Sequence, residues 1–285
     1  MTRPRPAHTA WLLAPAGIFV ALFFLAPLSV LLWTSVHASQ PGLDAPGRFT
    51  LAYYTALLSD AHFLKTTGTS LRVATIATLV CLVIGYPLAY LVARASRRVQ
   101  TLLLIVVFSP LFVGVVVRAF AWTIMLRSDG LVNKTLLALG AIESPVRLLF
   151  TESGLVMALT HVFLPLMVLP IASVIQRIDP HLDEAGATLG ATRLRRFVSI
   201  LLPLSLPGVT AGCALVFCLS ISAYAIPTLV AGERVLVVPV LVAQSFGVTM
   251  NWPRGSAAAV LLVVLTAGII LAHTALVERR RAASP

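Results

Sequence analysis

The stretch DPHLDEAGATLGATRLRRFVSILLP, residues 179–203, is a long polar interruption in an otherwise apolar chain, and its residues have helical spacing. Asp179 is a favourable N-cap, and Glu184 places negative charge in the first turn of the helix that follows. Gly190 can end that helix in a left-handed conformation, and a second helix can then run from Thr192 to the final proline. A solvated loop between two membrane spans is the plainer interpretation. The small residues and the apolar stripe favour a surface that docks against another protein.

This spacing resembles the cytoplasmic signature of bacterial ABC-importer permeases: Glu-Ala-Ala, three residues, Gly, nine residues, Ile-x-Leu-Pro. The matching positions are Glu184, Ala185, Gly186, Gly190, Ile200, Leu202 and Pro203, and Leu189 lies on the apolar face of the first helix. Gly186 stands where the family usually has alanine, which loosens the helix by about 0.5–1 kcal/mol. The resemblance implies that residues 179–203 form a coupling loop, which enters a cleft of a separate ATPase subunit and transmits its movements.

The composition indicates an integral membrane domain, because 59% of the 285 residues are hydrophobic and only 11% are charged. The distribution of the charged residues between the two sides of the membrane explains the net charge of +11. The segments expected inside carry twelve Lys/Arg and four acids, a balance of +8, whereas the outer segments, with Arg72 counted among them, carry +2. This is the positive-inside pattern of membrane proteins, so we expect membrane lipid around the chain and no nucleic-acid partner.

Six apolar runs predict an all-α permease domain of residues 1–285 with six transmembrane helices. The expected spans are about 11–36, 71–93, 102–126, 154–175, 207–230 and 257–277. The first run could be a signal peptide, but its apolar core exceeds the roughly 7–15 residues of a signal sequence, so we expect a retained helix. Residues 235–246 are apolar but too short to cross. Six spans put both termini and the coupling loop on the cytoplasmic side of a bacterial inner membrane.

Further stretches resemble the spermidine/putrescine branch of these permeases, although subunits for phosphonates, opines or other small solutes look much the same. They are TSLRVATIATLVCLVIGYPLAYLVAR (69–94), VVVRAFAW (115–122), LPLSLPGVTAG (202–212) and NWPRGSAAAV (251–260). The resemblance implies a type I-like permease fold that supplies half of a translocation pathway. The implied partners are a second permease subunit, an extracytoplasmic solute-binding protein and a cytoplasmic ABC ATPase, expected as a dimer.

The chain lacks the G-x-x-x-x-G-K-[ST] phosphate loop, so we expect ATP and Mg on the partner ATPase, no cofactor on this chain and no enzymatic activity of its own. An ion-coupled secondary transporter is one alternative. Such proteins usually carry acids along the pathway, but all ten acids lie outside the expected spans, which leaves His161 as the lone titratable candidate. A non-transporting membrane scaffold is the other alternative, and it leaves the polar fifth span unexplained.

Polar residues in the fifth expected span, Ser220, Ser222 and Tyr224, are candidates for lining the substrate pathway. They alternate by two, so a straight helix cannot turn all three the same way unless Pro227 distorts it. Packing and hydrogen bonding between helices is an equally good explanation for the serines, whereas the Tyr224 ring could contact an organic cation. Arg118 lies near the outer end of the third span, where snorkelling or pairing with an outer-loop acid is the favoured explanation.

Overall fold

The computed structural model describes residue 15, residues 17–38 and residues 47–282, the last seven by backbone alone. Within those ranges every regular element is helical, and an isolated antiparallel bridge joins His37 to Phe49. The predicted all-α membrane class is therefore confirmed. The helices are α1 (Gly17–Ser35), α2 (Ala52–Ser59), α3 (Ala61–Arg94), α4 (Arg97–Phe108), α5 (Val115–Met125), α6 (Leu131–Ala138), α7 (Glu152–Arg177), α8 (His181–Thr188), α9 (Arg193–Ile221), α10 (Val238–Gly247) and α11 (Trp252–Ala282).

Five of these helices, α1, α3, α7, α9 and α11, are long and apolar enough to cross a membrane. The third expected span, 102–126, is not one helix. It divides into α4, with a single 3₁₀ turn at Ser109–Phe112, and α5, and the two parts meet at a 97° bend. Pro110 and Gly114 explain the break, because neither favours an uninterrupted helix. The count of spans reaches six only if this bent pair is one of them.

Two further expectations about helix bounds were wrong. Helix α3 begins at Ala61, ten residues before the expected second span at 71–93, and the stretch between the first two expected spans also contains α2. The predicted fifth span, 207–230, ends early at Ile221, and its helix starts at Arg193 inside the coupling loop. The second loop helix therefore does not stop at Pro203 but continues into the membrane span.

The helix passes Pro203 because a π-helical turn, Phe197–Leu201, lies directly before it. Proline lacks a backbone donor, and its ring crowds the carbonyl four residues back in an α-helix. In the wider turn the Leu202 N–H donates to the Phe197 carbonyl five residues back, which shifts the hydrogen-bond ladder ahead of the proline. The same arrangement occurs in α1, where the π-helical turn Ala21–Leu25 precedes Pro27.

The chain divides into two compact units, residues 1–64 with 241–265 and residues 65–240 with 266–285. In the first unit, the Tyr54 hydroxyl donates to Ser35 Oγ over 2.7 Å. The Arg254 guanidinium pairs with Asp60 over 2.8 Å. These two contacts tie α2 and its C-terminal end to the ends of α1 and α11.

The second unit is built around α7, and most of the apolar part of this helix is buried. Helix α9 packs closely along α7 because two glycines face it. A Cβ at Gly208 would lie 2.6 Å from the Pro170 carbonyl oxygen, and one at Gly212 would lie 2.8 Å from Met167 Sδ. Small residues of this kind let membrane helices approach closely. The helix that leaves the coupling loop is thus held against the core of its unit.

Candidate functional site: the coupling loop

The coupling loop folds into two helices separated by a sharp turn at Gly190, as predicted. Gly190 has a φ of +77°, in the left-handed region that favours glycine. Its N–H donates to the Ala187 carbonyl over 3.0 Å, and the Ala191 N–H donates to the Gly186 carbonyl over 3.0 Å. This pair of hydrogen bonds is the Schellman motif, which satisfies carbonyls at the end of α8.

Side chains bind the backbone at the start of both helices, although the N-cap of α8 is Pro180 and not the predicted Asp179. Thr192 is the N-cap of α9, and its Oγ1 accepts a hydrogen bond from the Arg195 N–H over 3.3 Å, which confirms the predicted start. The Asp179 carboxylate accepts from the His181 N–H over 3.0 Å at the start of α8. The loop therefore supplies its own hydrogen-bond partners at each helix start.

An ion pair that the sequence analysis missed joins the two helices. Arg196 of α9 pairs with the Asp183 carboxylate and also donates to the Asp183 carbonyl over 3.1 Å. The Arg196 side chain is only 16% exposed, so this pair is better shielded than an ordinary surface pair. A Cβ on Gly186 would lie 3.2 Å from Arg196 Cγ and 3.1 Å from Ile200 Cδ1, so glycine permits this close approach.

Glu184, which lies in the first turn of α8 as predicted, has a partner within the same helix. Its Oε2 lies 3.0 Å from Nδ1 of His181, one helical turn earlier. This hydrogen bond, helped by the nearby Asp179 charge, raises the pKa of His181 above its ordinary value. Both side chains are exposed, so they remain accessible to a protein that docks on the loop.

The loop exposes several large apolar side chains among its charged ones. Leu189 is 87% exposed and Leu194 is 73% exposed, and Leu182 and Ala185 are also exposed. Large apolar side chains that protrude together on a soluble loop mark a protein interaction site. Of the other motif residues, Gly186 is buried, Ile200 and Leu202 are half-buried, and Pro203 is exposed.

Behind the loop lies a cleft of about 740 Å³, closed on one side by the end of α3. Arg94 at the end of α3 donates to the Ile178 carbonyl over 3.0 Å, where the loop begins. The Tyr86 hydroxyl lies 2.8 Å from Ser205 Oγ, and its ring packs edge-on against Phe197 with centroids 5.5 Å apart. These contacts fasten both ends of the loop to α3.

The three candidate pathway residues are not brought together. Ser220 is buried and its hydroxyl has no hydrogen-bond partner among the described residues. Ser222 is exposed and donates to the Cys218 carbonyl over 2.7 Å. Tyr224 lies beyond the end of α9 and is 50% exposed. Helix α9 ends at Ile221, so Ser222 and Tyr224 both lie in the unwound segment that follows it, and Pro227 begins a separate π-helical turn, Pro227–Ala231.

Helices long and apolar enough to cross a membrane, one of them continuous with a polar two-helix loop, define an integral membrane protein of the permease type. The family described as binding-protein-dependent transport system inner membrane component matches residues 82–282. The chain belongs to this family, and the resemblance to ABC-importer permeases is confirmed.

Several curated relatives share most of the chain. The spermidine/putrescine transport system permease protein PotB of Escherichia coli (strain K12) is 33% identical over 255 residues, 90% of this chain and 92% of PotB. PotB of Haemophilus influenzae is 34% identical over 224 residues, 79% of this chain and 78% of that protein. The putative 2-aminoethylphosphonate transport system permease protein PhnU of Salmonella typhimurium is 26% identical, over 91% of this chain and 88% of PhnU.

A chain from the crystal structure of a bacterial ABC transporter that imports the acidic polysaccharide alginate shares the fold. The TM-score is 0.72, with 18% identity over 95% of this chain and 96% of that chain. A second structure of the alginate transporter, with a periplasmic protein bound to an alginate pentasaccharide, also matches with a TM-score of 0.72 and 17% identity, over 95% of this chain and 96% of that chain.

Proposed function

We propose that the chain is the permease subunit of an ATP-driven, binding-protein-dependent importer of polyamines, spermidine or putrescine. The observation that carries the proposal is the 33% identity to the spermidine/putrescine permease PotB over 90% of this chain. Family membership also favours an importer over the ion-coupled transporter and the scaffold. The phosphonate relative is more distant, at 26% identity.

The chain is proposed to work with three partners. A second permease subunit supplies the other half of the pathway, and a cytoplasmic ATPase dimer binds ATP and Mg. An extracytoplasmic protein delivers the solute, as the alginate transporter bound to its periplasmic protein suggests. The sequence contains no phosphate loop, which supports ATP hydrolysis on a separate chain.

The proposed docking surface for the ATPase is the exposed apolar side of the coupling loop, around Leu182, Leu189 and Leu194. The ion pair between Asp183 and Arg196 links the two loop helices, so we expect them to move together when the loop is docked. Apolar groups contribute roughly 25 cal/mol per Å² when they are removed from water, so these leucines supply much of the proposed docking free energy.

Helix α9 can transmit movements of the ATPase into the membrane, because its 29 residues are continuous from Arg193 to Ile221. At 1.5 Å per residue the helix is about 43 Å long. A shift of the docked loop therefore moves the far end of α9, where Ser220 lies and beyond which Ser222 and Tyr224 follow. We propose that Tyr224 lines the route, since its half-exposed ring can bind an organic cation through its face.

Uptake by the importer reconstituted in proteoliposomes tests this proposal. With all partners and ATP present, labelled spermidine or putrescine should accumulate, and without ATP it should not. Binding of polyamines, amino acids and phosphonates to the cognate solute-binding protein gives an independent measure of the solute. Selective binding of a phosphonate would overturn the polyamine assignment, and uptake driven by an ion gradient without ATP would overturn the importer mechanism.

A further inference from the structure

Helices α5 and α7 carry three polar side chains that meet on one face of the second unit: Arg118, Trp122 and His161. The Trp122 indole N–H donates to Nδ1 of His161 over 3.2 Å, and the two rings pack edge-on with centroids 5.5 Å apart. Arg118 lies one helical turn from Trp122 on the same side of α5. The His161 ring is hydrogen-bonded to Trp122 and packs against it, but the residue is still exposed on its other side.

The hydrogen bond from Trp122 fixes which nitrogen of His161 is free. An indole N–H can only donate, so Nδ1 must accept and the proton of the neutral ring lies on Nε2. No hydrogen bond from Nε2 to a described residue is formed. His161 therefore offers a donor outward from the face that it shares with Arg118.

The Arg118 guanidinium also has free donors. Its Nε and Nη1 are inaccessible to solvent and have no partner among the residues that the structure describes. The expected pairing with an outer-loop acid is absent in that part of the chain, where Glu152 pairs with Arg72 and Asp129 pairs with Arg127. Because Nε and Nη1 have no accessible surface, only the third nitrogen, Nη2, can meet an acceptor from outside this chain. A guanidinium without a counter-ion is costly within a membrane protein, so such an acceptor would stabilise it.

The free groups of this site are all donors, and this determines the chemistry of the occupant. A polyamine cannot occupy it, because its amines are cationic donors and would be repelled by Arg118. A carboxylate carries negative charge and accepts several hydrogen bonds at once.

Beside the donors, α5 presents an uncovered apolar face of Val117, Phe120 and Ile124, which are each more than half exposed. An apolar helix face with a few polar groups is typical of contacts between membrane helices.

We propose that a carboxylate side chain of the second permease subunit binds the site formed by Arg118 and His161 and holds the two permeases together. This inference rests on the proposed function, which supplies the second permease. The site joins two protein chains and lies outside the route of the cationic solute. Trp122 positions the imidazole so that its free N–H faces outward.

Replacement of Arg118 by lysine allows the partner group to be captured covalently. Dicyclohexylcarbodiimide condenses a lysine amine with an adjacent carboxylate to an amide, and the water removed converts the carbodiimide to its urea. In the reconstituted importer, Arg118→Lys should give a cross-link between the two permeases, and mass spectrometry should find Lys at position 118 joined to an Asp or Glu of the second permease. Arg127→Lys is the matched control, and it should link only to Asp129 of the same chain.

A second measurement follows the stability of the permease pair. Arg118→Gln removes the charge, and the amount of second permease that co-purifies should fall at least about tenfold, since hydrogen bonds to charged groups are the strong ones. The ATPase should remain bound to this chain, because the coupling loop is unchanged. Arg127→Gln should leave the permease pair intact.

The outcomes separate this inference from the proposed function. If the unsubstituted chain brings down no second permease, the proposed function fails and the inference with it. If the pair forms but Arg118→Gln leaves it unchanged, the inference alone is overturned. A cross-link to a carboxylate of the same chain, or the absence of any cross-link at position 118, also overturns it and points to lipid phosphate or water as the acceptor.

Discussion

The left-handed turn at Gly190 can be tested by a substitution whose effect is almost purely conformational. A Cβ at this position would meet no atom within 4 Å, so Gly190→Ala introduces no steric clash within the chain. The φ of +77° is nevertheless unfavourable for alanine, at a cost of about 1–2 kcal/mol. The free loop can relieve this strain by relaxing, whereas the docked loop cannot. We therefore expect the affinity for the ATPase subunit to fall by a factor of about 5–30.

The assay is titration of the purified permease with the ATPase subunit, with uptake measured in the same preparation. Gly190→Asn should fall between glycine and alanine, because asparagine tolerates the left-handed region. Gly190→Asp should also insert normally into the membrane but bind the ATPase weakly. Gly268→Ala is the control, since a Cβ at Gly268 would also meet no atom within 4 Å and this glycine lies within α11. If Gly190→Ala binds within twofold of the parent, the turn is not required for docking.

Three further predictions concern the coupling loop and its side of the membrane. Glu184→Lys places a positive charge in the first turn of α8 and removes the partner of His181, so ATPase co-purification and uptake should fall while membrane insertion stays normal. The raised pKa of His181 makes its contribution to α8 fully present below the unfolded value of about 6.5, and it is lost as pH rises through the folded pKa. Hydrogen exchange of residues 181–188, corrected for intrinsic rate, should therefore speed up towards pH 8 in the parent but not in His181→Gln. Single cysteines at positions 97 and 193 should be labelled from the cytoplasmic side and one at position 134 from outside, and labelling of 97 and 193 from opposite sides would refute the topology.

The turn at the coupling loop was predictable because its causes are local. A glycine that ends one helix and a threonine that starts the next act within a few residues, and both appear in the structure as expected. The hydrogen bond between Glu184 and His181 was also predictable, since residues three apart on a helix are neighbours. The ion pair of Asp183 with Arg196 was not, because it depends on the angle between two helices.

The predicted helix bounds were least accurate near prolines. Pro203 was expected to end a helix, but the π-helical turn before it shifts the hydrogen-bond ladder, and the sequence shows no separate signal for that turn. The bend of 97° after α4 was also missed, because the high hydropathy of residues 102–126 was given more weight than Pro110 and Gly114, which break the helix there. Hydropathy measures length and apolar character, but it does not detect a change of direction.

Because α9 is continuous, its loop residues and its membrane residues keep fixed angles about one helix axis as well as fixed distances along it. One residue inserted between Arg196 and Gly208 would turn everything beyond it by about 100° and advance it by about 1.5 Å. The two glycines would then leave the surface of α7, and bulkier neighbours would take their place against it. A coupling loop exchanged between permeases must therefore keep the number of residues before Gly208, or change it by seven, which is close to two full turns.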